Sequence, residues 1–188
     1  FPLGKYKKKD IRKIAENLNL DIASKPDSQE VCFIKDNDHH SFVQKYSHDD
    51  KIKGEIVDSK GNILGYHDGI SNFTIGQRRG LGVVTGQAMY VVNIDAERNK
   101  VILGSNIELL KKELIAGDLN WIFVNRLEKE TKVQAKIRSQ SKKAVATVTP
   151  ISDEKVKVVF DTPQRAITKG QSVVFYTKDY VLGGGIIE

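Results

Sequence analysis

Short apolar runs, separated by polar residues, follow one another along the carboxyl-terminal part of the chain at intervals of roughly ten positions. These runs are rich in the β-branched and aromatic residues that favour strands. Evenly spaced short strands with little helix between them predict a small barrel or sandwich. The runs are LNWIFV, TKVQAKI, AVATVTPI, VKVVF, QSVVFY and YVLGGGII.

The middle of the chain carries two hairpin patterns. Residues 53–69, KGEIVDSKGNILGYHDG, contain two apolar runs joined at Ser59–Asn62, where glycine and asparagine favour a turn. Residues 89–104, MYVVNIDAERNKVILG, repeat the pattern with a turn at Glu97–Asn99. We therefore expect a β-rich central region.

In the first residues of the chain, apolar side chains recur with a helical spacing and not with that of a strand. Within residues 7–19 the apolar side chains have the spacing of one buried helical stripe. Pro26 cannot continue that helix, and Val31–Ile34 is typical of a short buried strand. The apolar positions of the stripe are Ile11, Ile14, Ala15 and Leu18.

The three patterns predict a mainly β protein with a short α/β segment at its N-terminus, a β-rich central domain and a C-terminal β-barrel. We place the domains at residues 1–46, 47–110 and 111–188. The chain begins with Phe and not with Met, so we expect it to be a piece of a longer protein.

Composition narrows the function classes. The net charge of +6 favours polyanionic partners such as nucleic acid, although many basic proteins bind none. A single cysteine cannot form a disulfide within the chain, which makes a cytoplasmic location the expectation. No window is apolar enough to span a bilayer, so no membrane partner is expected.

The single cysteine, Cys32, follows a Pro-Asp-Ser turn and begins an apolar run. Free cysteine is among the most buried residue types, so it could be an inert packing residue. Backbone N–H groups of the turn could instead favour the thiolate, the form that attacks, whereas the acidic side chains nearby disfavour it. The residues alone leave both interpretations open.

Two basic segments are candidates for phosphate contacts. GQRRGLG, residues 76–82, lacks the Gly-Lys-Ser/Thr ending of a nucleotide-binding loop. Arg78 and Arg79 could contact a nucleic-acid backbone, or they could be exposed side chains of a glycine-permitted turn. On a hairpin, Lys132, Lys136 and Arg138 would line one face, as in barrels that hold nucleic acid.

The four histidines favour no metal site, because the chain has no Cys-x-x-Cys pair to complete one. We expect each of them to lie in a solvated loop. They are His39, His40, His48 and His67.

Five motifs occur in an order that strongly resembles the bacterial tRNA-specific 2-thiouridylase family. They are KPDSQEVCFI, FTIGQRRGLG, YVVNIDAERNKVILG, TPQRAITKGQSVVFY and VLGGGIIE. The resemblance is to the carboxyl-terminal half of those enzymes. It implies that residues 1–46 are the tail of an adenine-nucleotide pyrophosphatase domain whose site for ATP and Mg²⁺ is not in this chain, so that the fragment alone would be inactive.

The resemblance also implies a chemistry. Family members replace the oxygen at position 2 of the wobble uridine of tRNA with sulfur, after ATP-dependent adenylation of that oxygen. Cys32 matches the second catalytic cysteine, which receives sulfur as a persulfide from a sulfur-relay protein or a cysteine desulfurase. The family's tRNA-contacting positions fall on Arg138, Ser139 and Gln171, with serine standing at 139 where tyrosine is usual.

Two other functions compete with this one. The first is a non-enzymatic RNA-binding β-barrel protein with an inert cysteine. The second is a sulfurtransferase that acts on small molecules and needs no basic face.

Overall fold

The computed structural model describes residues 2–26 and 52–188. The chain divides into two compact units, residues 1–48 and residues 49–188. Cys32, His39, His40, His48 and the strand expected at Val31–Ile34 lie outside the described residues, so the expectations for them stay predictions.

The first unit confirms the helix. α1 spans Lys8–Asn17 and is followed by a 3-10 turn at Asp21–Ser24. The expected buried stripe is wrong at two of its four positions, because Ala15 is buried and Ile11 half-buried, whereas Ile14 and Leu18 are exposed. The chain leaves the helix through Asn19, whose positive φ of 51° reverses the backbone direction after the last turn.

Four strands form a mixed sheet at the start of the second unit. Both expected hairpins are confirmed as antiparallel pairs, and β1 also pairs with β4 in parallel. The strand order is β2-β1-β4-β3, and Ile56, Val91, Val101 and Leu103 are fully buried in its core. The strands are β1 Gly54–Asp58, β2 Ile63–His67, β3 Tyr90–Asp95 and β4 Lys100–Gly104.

The remaining strands confirm the C-terminal barrel, which is closed in the order β10-β5-β8-β7-β6-β9. Inward positions alternate with outward ones, and Phe160 and Phe175 are the largest side chains fully buried inside. The apolar run LNWIFV predicts a strand at residues 119–124. The observed strand begins earlier, at Leu110, and ends at Trp121, so Ile122 and Phe123 lie beyond it. The strands are β5 Leu110–Trp121, β6 Thr131–Lys136, β7 Ala144–Pro150, β8 Val156–Arg165, β9 Ser172–Thr177 and β10 Tyr180–Ile187.

The antiparallel order gives the barrel two distinct ends. The connections 137–143 and 166–171 lie at one end, since β6 ends there, β7 begins there, and β8 and β9 are joined there. The connections 122–130 and 151–155 lie at the opposite end. Within the part of the chain that the structure describes, no helix has the length and apolarity to cross a membrane.

Candidate nucleic-acid interface

Arg138 lies two residues beyond β6, half-buried, in the connection 137–143. Its Nη2 donates to the Ala166 carbonyl oxygen at 2.8 Å and to the Thr168 Oγ1 at 2.9 Å. The guanidinium therefore ties the β6–β7 connection to the β8–β9 connection at the same end of the barrel. Hydrogen bonds from a charged donor are stronger than those between neutral groups, so Arg138 holds the two connections together strongly.

Ser139 and Gln171 lie at the same end, and both are exposed. The Gln171 backbone N–H donates to the Thr168 carbonyl oxygen at 3.3 Å, so Thr168 joins the connection bearing Gln171 to Arg138. The Ser139 carbonyl oxygen accepts from the Lys136 Nζ at 2.8 Å. The structure thus brings the adjacent residues Arg138 and Ser139 to the same end of the barrel as Gln171, which is distant from them in the sequence.

Arg78 and Arg79 are exposed in a turn of the central region. Gln77 shapes this turn, since its Oε1 accepts from the Thr74 N–H at 2.9 Å and its Nε2 donates to the Arg79 carbonyl oxygen at 2.9 Å. Gly76 enters the turn with a φ of 87°, in the region that favours glycine. The structure shows the glycine-permitted turn and the exposed arginines, and contact of Arg78 and Arg79 with a nucleic-acid backbone stays a prediction.

Arg165, the last residue of β8, connects that turn to the barrel. Its Nε donates to the Asn106 Oδ1 at 2.9 Å, its Nη2 donates to the Gly76 carbonyl oxygen at 3.4 Å, and its guanidinium lies 5.2 Å from the centre of the Tyr90 ring. The Ala166 N–H donates to the Leu109 carbonyl oxygen at 2.8 Å. An arginine at a strand end gives no sequence signal of such a junction, because its partners come from distant segments.

The segments 74–82, 137–143 and 166–171 form a surface that we call the basic end. These segments contain no aspartate or glutamate, whereas the connections 122–130 and 151–155 at the opposite end carry four acidic residues beside three basic ones. Such a one-sided distribution attracts a polyanion to one end of the molecule. The exposed or half-buried cations of the basic end are Arg78, Arg79, Arg138, Lys142, Lys143 and Lys169.

The expected face of Lys132, Lys136 and Arg138 is confirmed in its geometry. All three lie outside the barrel, because Val133, Ala135 and Ile137 between them are buried. Lys132 differs from the other two in its environment, since its Nζ lies 3.3 Å from the Asp161 Oδ2. Its charge is therefore partly balanced within the protein.

The expectation of a solvated loop is wrong for His67. This residue ends β2 and is 5% exposed, and its ring packs edge-on against Phe73 with 5.5 Å between centroids. Burial lowers the pKa of His67, and the Gly69 N–H donates to its Nδ1 at 3.0 Å, which requires that nitrogen to be unprotonated. His67 is a structural residue of the sheet. Among residues 2–26 and 52–188, no group of three or more His, Cys, Asp or Glu side chains is placed to hold a metal ion.

Models of three protein families match consecutive parts of the chain. The model described as the tRNA methyl transferase HUP domain matches residues 1–36, and the tRNA methyl transferase PRC-barrel domain matches residues 40–105. The aminomethyltransferase beta-barrel domain matches residues 111–187, which include every strand of the barrel from β6 to β10.

Curated relatives match over the whole chain. The tRNA-specific 2-thiouridylases MnmA of Acetivibrio thermocellus and Clostridioides difficile are 54% and 51% identical to it over 188 residues. MnmA 1 of a Thermoanaerobacter species is 53% identical over the same length. The chain covers 52% of each of these proteins, so it spans about half the length of the curated relatives that it matches. With this identity along its full length, the chain belongs to the family of the tRNA-specific 2-thiouridylases.

Proposed function

We propose that this chain is the part of a tRNA 2-thiouridylase that binds the tRNA and carries the sulfur-bearing cysteine. The observation that carries the proposal is the convergence of Arg138, Gln171 and the Arg78–Arg79 turn at one end of the barrel, on segments that hold six cations and no acidic residue. Relatives over half identical to the chain are named for action on tRNA. The substrate would be the wobble uridine in the anticodon.

The basic end suits the backbone of a folded RNA better than a small molecule. Arginine and lysine side chains on connections of a β-barrel hold phosphates, and exposed amides such as that of Gln171 can add hydrogen bonds to sugars or bases. Arg138 serves two purposes here, because it holds the 166–171 connection in place and adds positive charge beside it. A sulfurtransferase acting on small molecules would have no need of this surface.

Cys32 is the proposed sulfur carrier. A sulfur-relay protein or a cysteine desulfurase would load it as a persulfide, whose outer sulfur is a better nucleophile at neutral pH than a thiol. The uridine must leave the base stack to be reached, as in other chemistry on nucleobases.

The activation of the uridine oxygen with ATP is expected of a part of the enzyme outside these 188 residues. The glycine-rich segment 76–82 does not fit a nucleotide phosphate. The Gly76 N–H donates to the Val91 carbonyl oxygen at 2.8 Å, and the Gly76 carbonyl oxygen accepts from Arg165. The backbone groups of Gly76 are therefore engaged within the protein, and the segment lacks the Gly-Lys-Ser/Thr ending of a nucleotide-binding loop.

Binding of tRNA tests the interface. Arg138→Ala should weaken binding and reduce the dependence of log K on log salt by about one counterion. Arg126→Ala is the matched control, because Arg126 is an exposed arginine at the opposite end, 3.9 Å from Asp153. Equal affinities and equal salt slopes for the two variants would contradict the proposal that tRNA binds at the basic end.

Thiolation of tRNA tests the cysteine. In the complete gene product, Cys32→Ser should abolish the exchange of oxygen for sulfur while leaving tRNA affinity unchanged. Mass spectrometry of the digested tRNA separates this exchange from addition of a methyl group, the reaction suggested by the names of two matching family models. Retained thiolation in Cys32→Ser would show that Cys32 does not carry the sulfur. The alternative of an RNA-binding barrel with an inert cysteine would then be favoured.

A further inference from the structure

A row of outward side chains crosses three neighbouring strands of the barrel next to the basic end. Tyr176 of β9 pairs with Gln134 of β6, which in turn pairs with Val145 of β7. All three point away from the core, because Phe175, Val133 and Ala146 beside them are buried. The row therefore presents an aromatic ring, an amide and an aliphatic side chain side by side on the outer surface.

A lysine lies over the face of the aromatic ring. The Lys143 Nζ is 4.1 Å from the centroid of the Tyr176 ring, within the range of a cation–π contact. Lys143 is exposed and Tyr176 is only half-buried. One face of the ring is thus covered by the ammonium group of an exposed lysine.

The groove beside the ring is basic. It has a volume of about 330 Å³, and it is lined by Lys132, Val133, Gln134, Val145, Tyr176, Thr177 and Lys178. No acidic side chain is among these lining residues, although Asp161 balances Lys132 from the neighbouring strand. The size lies at the lower end of the range for small-ligand sites, which suits one nucleotide.

The groove is continuous with the basic end. Lys143 belongs to the connection 137–143, and Lys136 of β6 donates from its Nζ to the carbonyl oxygen of Ser139 in the same connection. An RNA backbone that contacts Arg138 and Ser139 would therefore lead directly onto the outer face of β6 and β9.

We propose that this groove binds one unpaired nucleotide of RNA, with its base stacked on Tyr176. The base takes the place of the Lys143 ammonium on the ring, and that ammonium then pairs with a neighbouring phosphate. Gln134 can hydrogen-bond an edge of the stacked base. The proposal rests on the proposed function, since it assigns a further contact to the same RNA.

The probes for the test are tRNA, a short uridine oligomer and an abasic oligomer with the same phosphates. For the unsubstituted chain we expect tighter binding of the uridine oligomer than of the abasic one. Tyr176→Leu should weaken binding of tRNA and of the uridine oligomer roughly tenfold without changing the salt slope, because a stacked base contributes no counterion. Tyr176→Phe should bind as the unsubstituted chain does.

Two further variants serve as a control and as a test of the phosphate contact. Tyr180→Leu is the control for loss of an exposed tyrosine, because Tyr180 is 60% exposed, stacks on Phe123 and is not among the residues that line the groove, although its strand partner Thr177 is. It should leave every affinity unchanged. Lys143→Ala should lower the salt slope by about one counterion, since its ammonium pairs with a phosphate in the complex.

Equal binding of the uridine and abasic oligomers by the unsubstituted chain would overturn the proposal without any variant, and so would a Tyr176→Leu chain that binds like Tyr180→Leu. In either case, an effect of Arg138→Ala on tRNA binding would leave the proposed function standing. Failure of the unsubstituted chain to bind tRNA at all would overturn both.

Discussion

At the scale of the residue, a few polar side chains hold the central sheet by specific hydrogen bonds. Asp58 closes the β1–β2 turn, because its Oδ1 accepts from the backbone N–H groups of Lys60 and Asn62 at 2.8 and 2.9 Å. Bonds to the charged form, first of all from the Asn62 side chain, lower the pKa of Asp58. Glu108 accepts from Ser59 and Ser105, and these bonds lower the pKa of Glu108 in the same way.

We expect protonation of His67 to lower the stability of the fold at mildly acidic pH, apart from any effect of Asp58 and Glu108. Its pKa in the folded state lies below the ordinary value of 6.5, mainly because of burial, so the unfolded chain binds the proton first. The contribution of neutral His67 is complete above 6.5 and is lost as the pH falls towards the folded-state pKa. Urea unfolding at about pH 7.5 and about pH 5 should show a larger drop in unfolding free energy for the unsubstituted chain than for His67→Gln.

Asp58 and Glu108 affect stability in a lower pH range than His67 does. Their stabilising contributions are present above the ordinary values of 3.8 for Asp and 4.5 for Glu, and they disappear only as the pH falls further. Identical losses for His67→Gln and the unsubstituted chain between about pH 7.5 and pH 5 would show that His67 does not titrate there.

At the scale of the element, the junction between the Arg78–Arg79 turn and the end of β8 is packed closely. A Cβ atom at Gly76 would lie 3.2 Å from the Ala166 Cβ and 3.3 Å from the Arg165 Nη1. Ala166 is itself buried with a φ of 56°, which is unfavourable for a residue with a side chain. The hydrogen bonds from Arg138 to its carbonyl oxygen and from its own N–H to Leu109 hold it there.

Gly76→Ala should therefore be more destabilising than the matched change Gly61→Ala. The two glycines have nearly the same φ, 87° and 88°, but a Cβ at Gly61 would meet nothing within 4 Å. We expect a loss of about 1 kcal/mol for Gly61→Ala from the backbone alone, and about 2 kcal/mol for Gly76→Ala because of the added contact. Denaturant unfolding measures both.

The same pair of variants tests the interface. Gly76→Ala should also weaken tRNA binding, since it displaces the turn that carries Arg78 and Arg79, and Gly61→Ala should not. Equal effects of the two variants on stability would mean that the junction yields to a methyl group at no cost.

At the scale of the whole molecule, the sheet and the barrel belong to one compact unit, residues 49–188. Arg165 donates to Gly76 and Asn106, and Ala166 donates to Leu109, so the two β structures share hydrogen bonds as well as a chain connection. Charge is distributed unevenly over this unit, since the segments of the basic end hold cations and no acidic residue, whereas the connections 122–130 and 151–155 at the far end of the barrel hold charges of both signs.

We expect the sheet and the barrel to unfold together, and the single tryptophan makes this measurable. Trp121 stacks on Phe175 inside the barrel at a centroid distance of 5.9 Å, so its fluorescence reports on the barrel. Leu103→Ala removes a fully buried side chain from the sheet and should cost about 2–5 kcal/mol. The midpoint of the Trp121 transition should fall with it, while an unchanged midpoint would show two independently stable parts.

The local elements follow from the amino-acid sequence alone. Helix α1, both hairpins of the sheet, the β-rich carboxyl-terminal part and the glycine turn at Gly76 follow from the spacing of apolar residues and from turn chemistry. These signals act over a few neighbouring residues, so they can be read directly from the chain. The basic candidates Arg78, Arg79 and Arg138 were also visible as residue types.

Which of these elements meet depends on the tertiary structure. The parallel pairing of β1 with β4 and the burial of His67 depend on contacts between distant segments. The same is true of the junction at Arg165, of the convergence of Arg138 with Gln171, and of Lys143 over Tyr176. Closure of the barrel sets these distances, and local periodicity carries no information about them, because the same alternation of residues fits several strand orders.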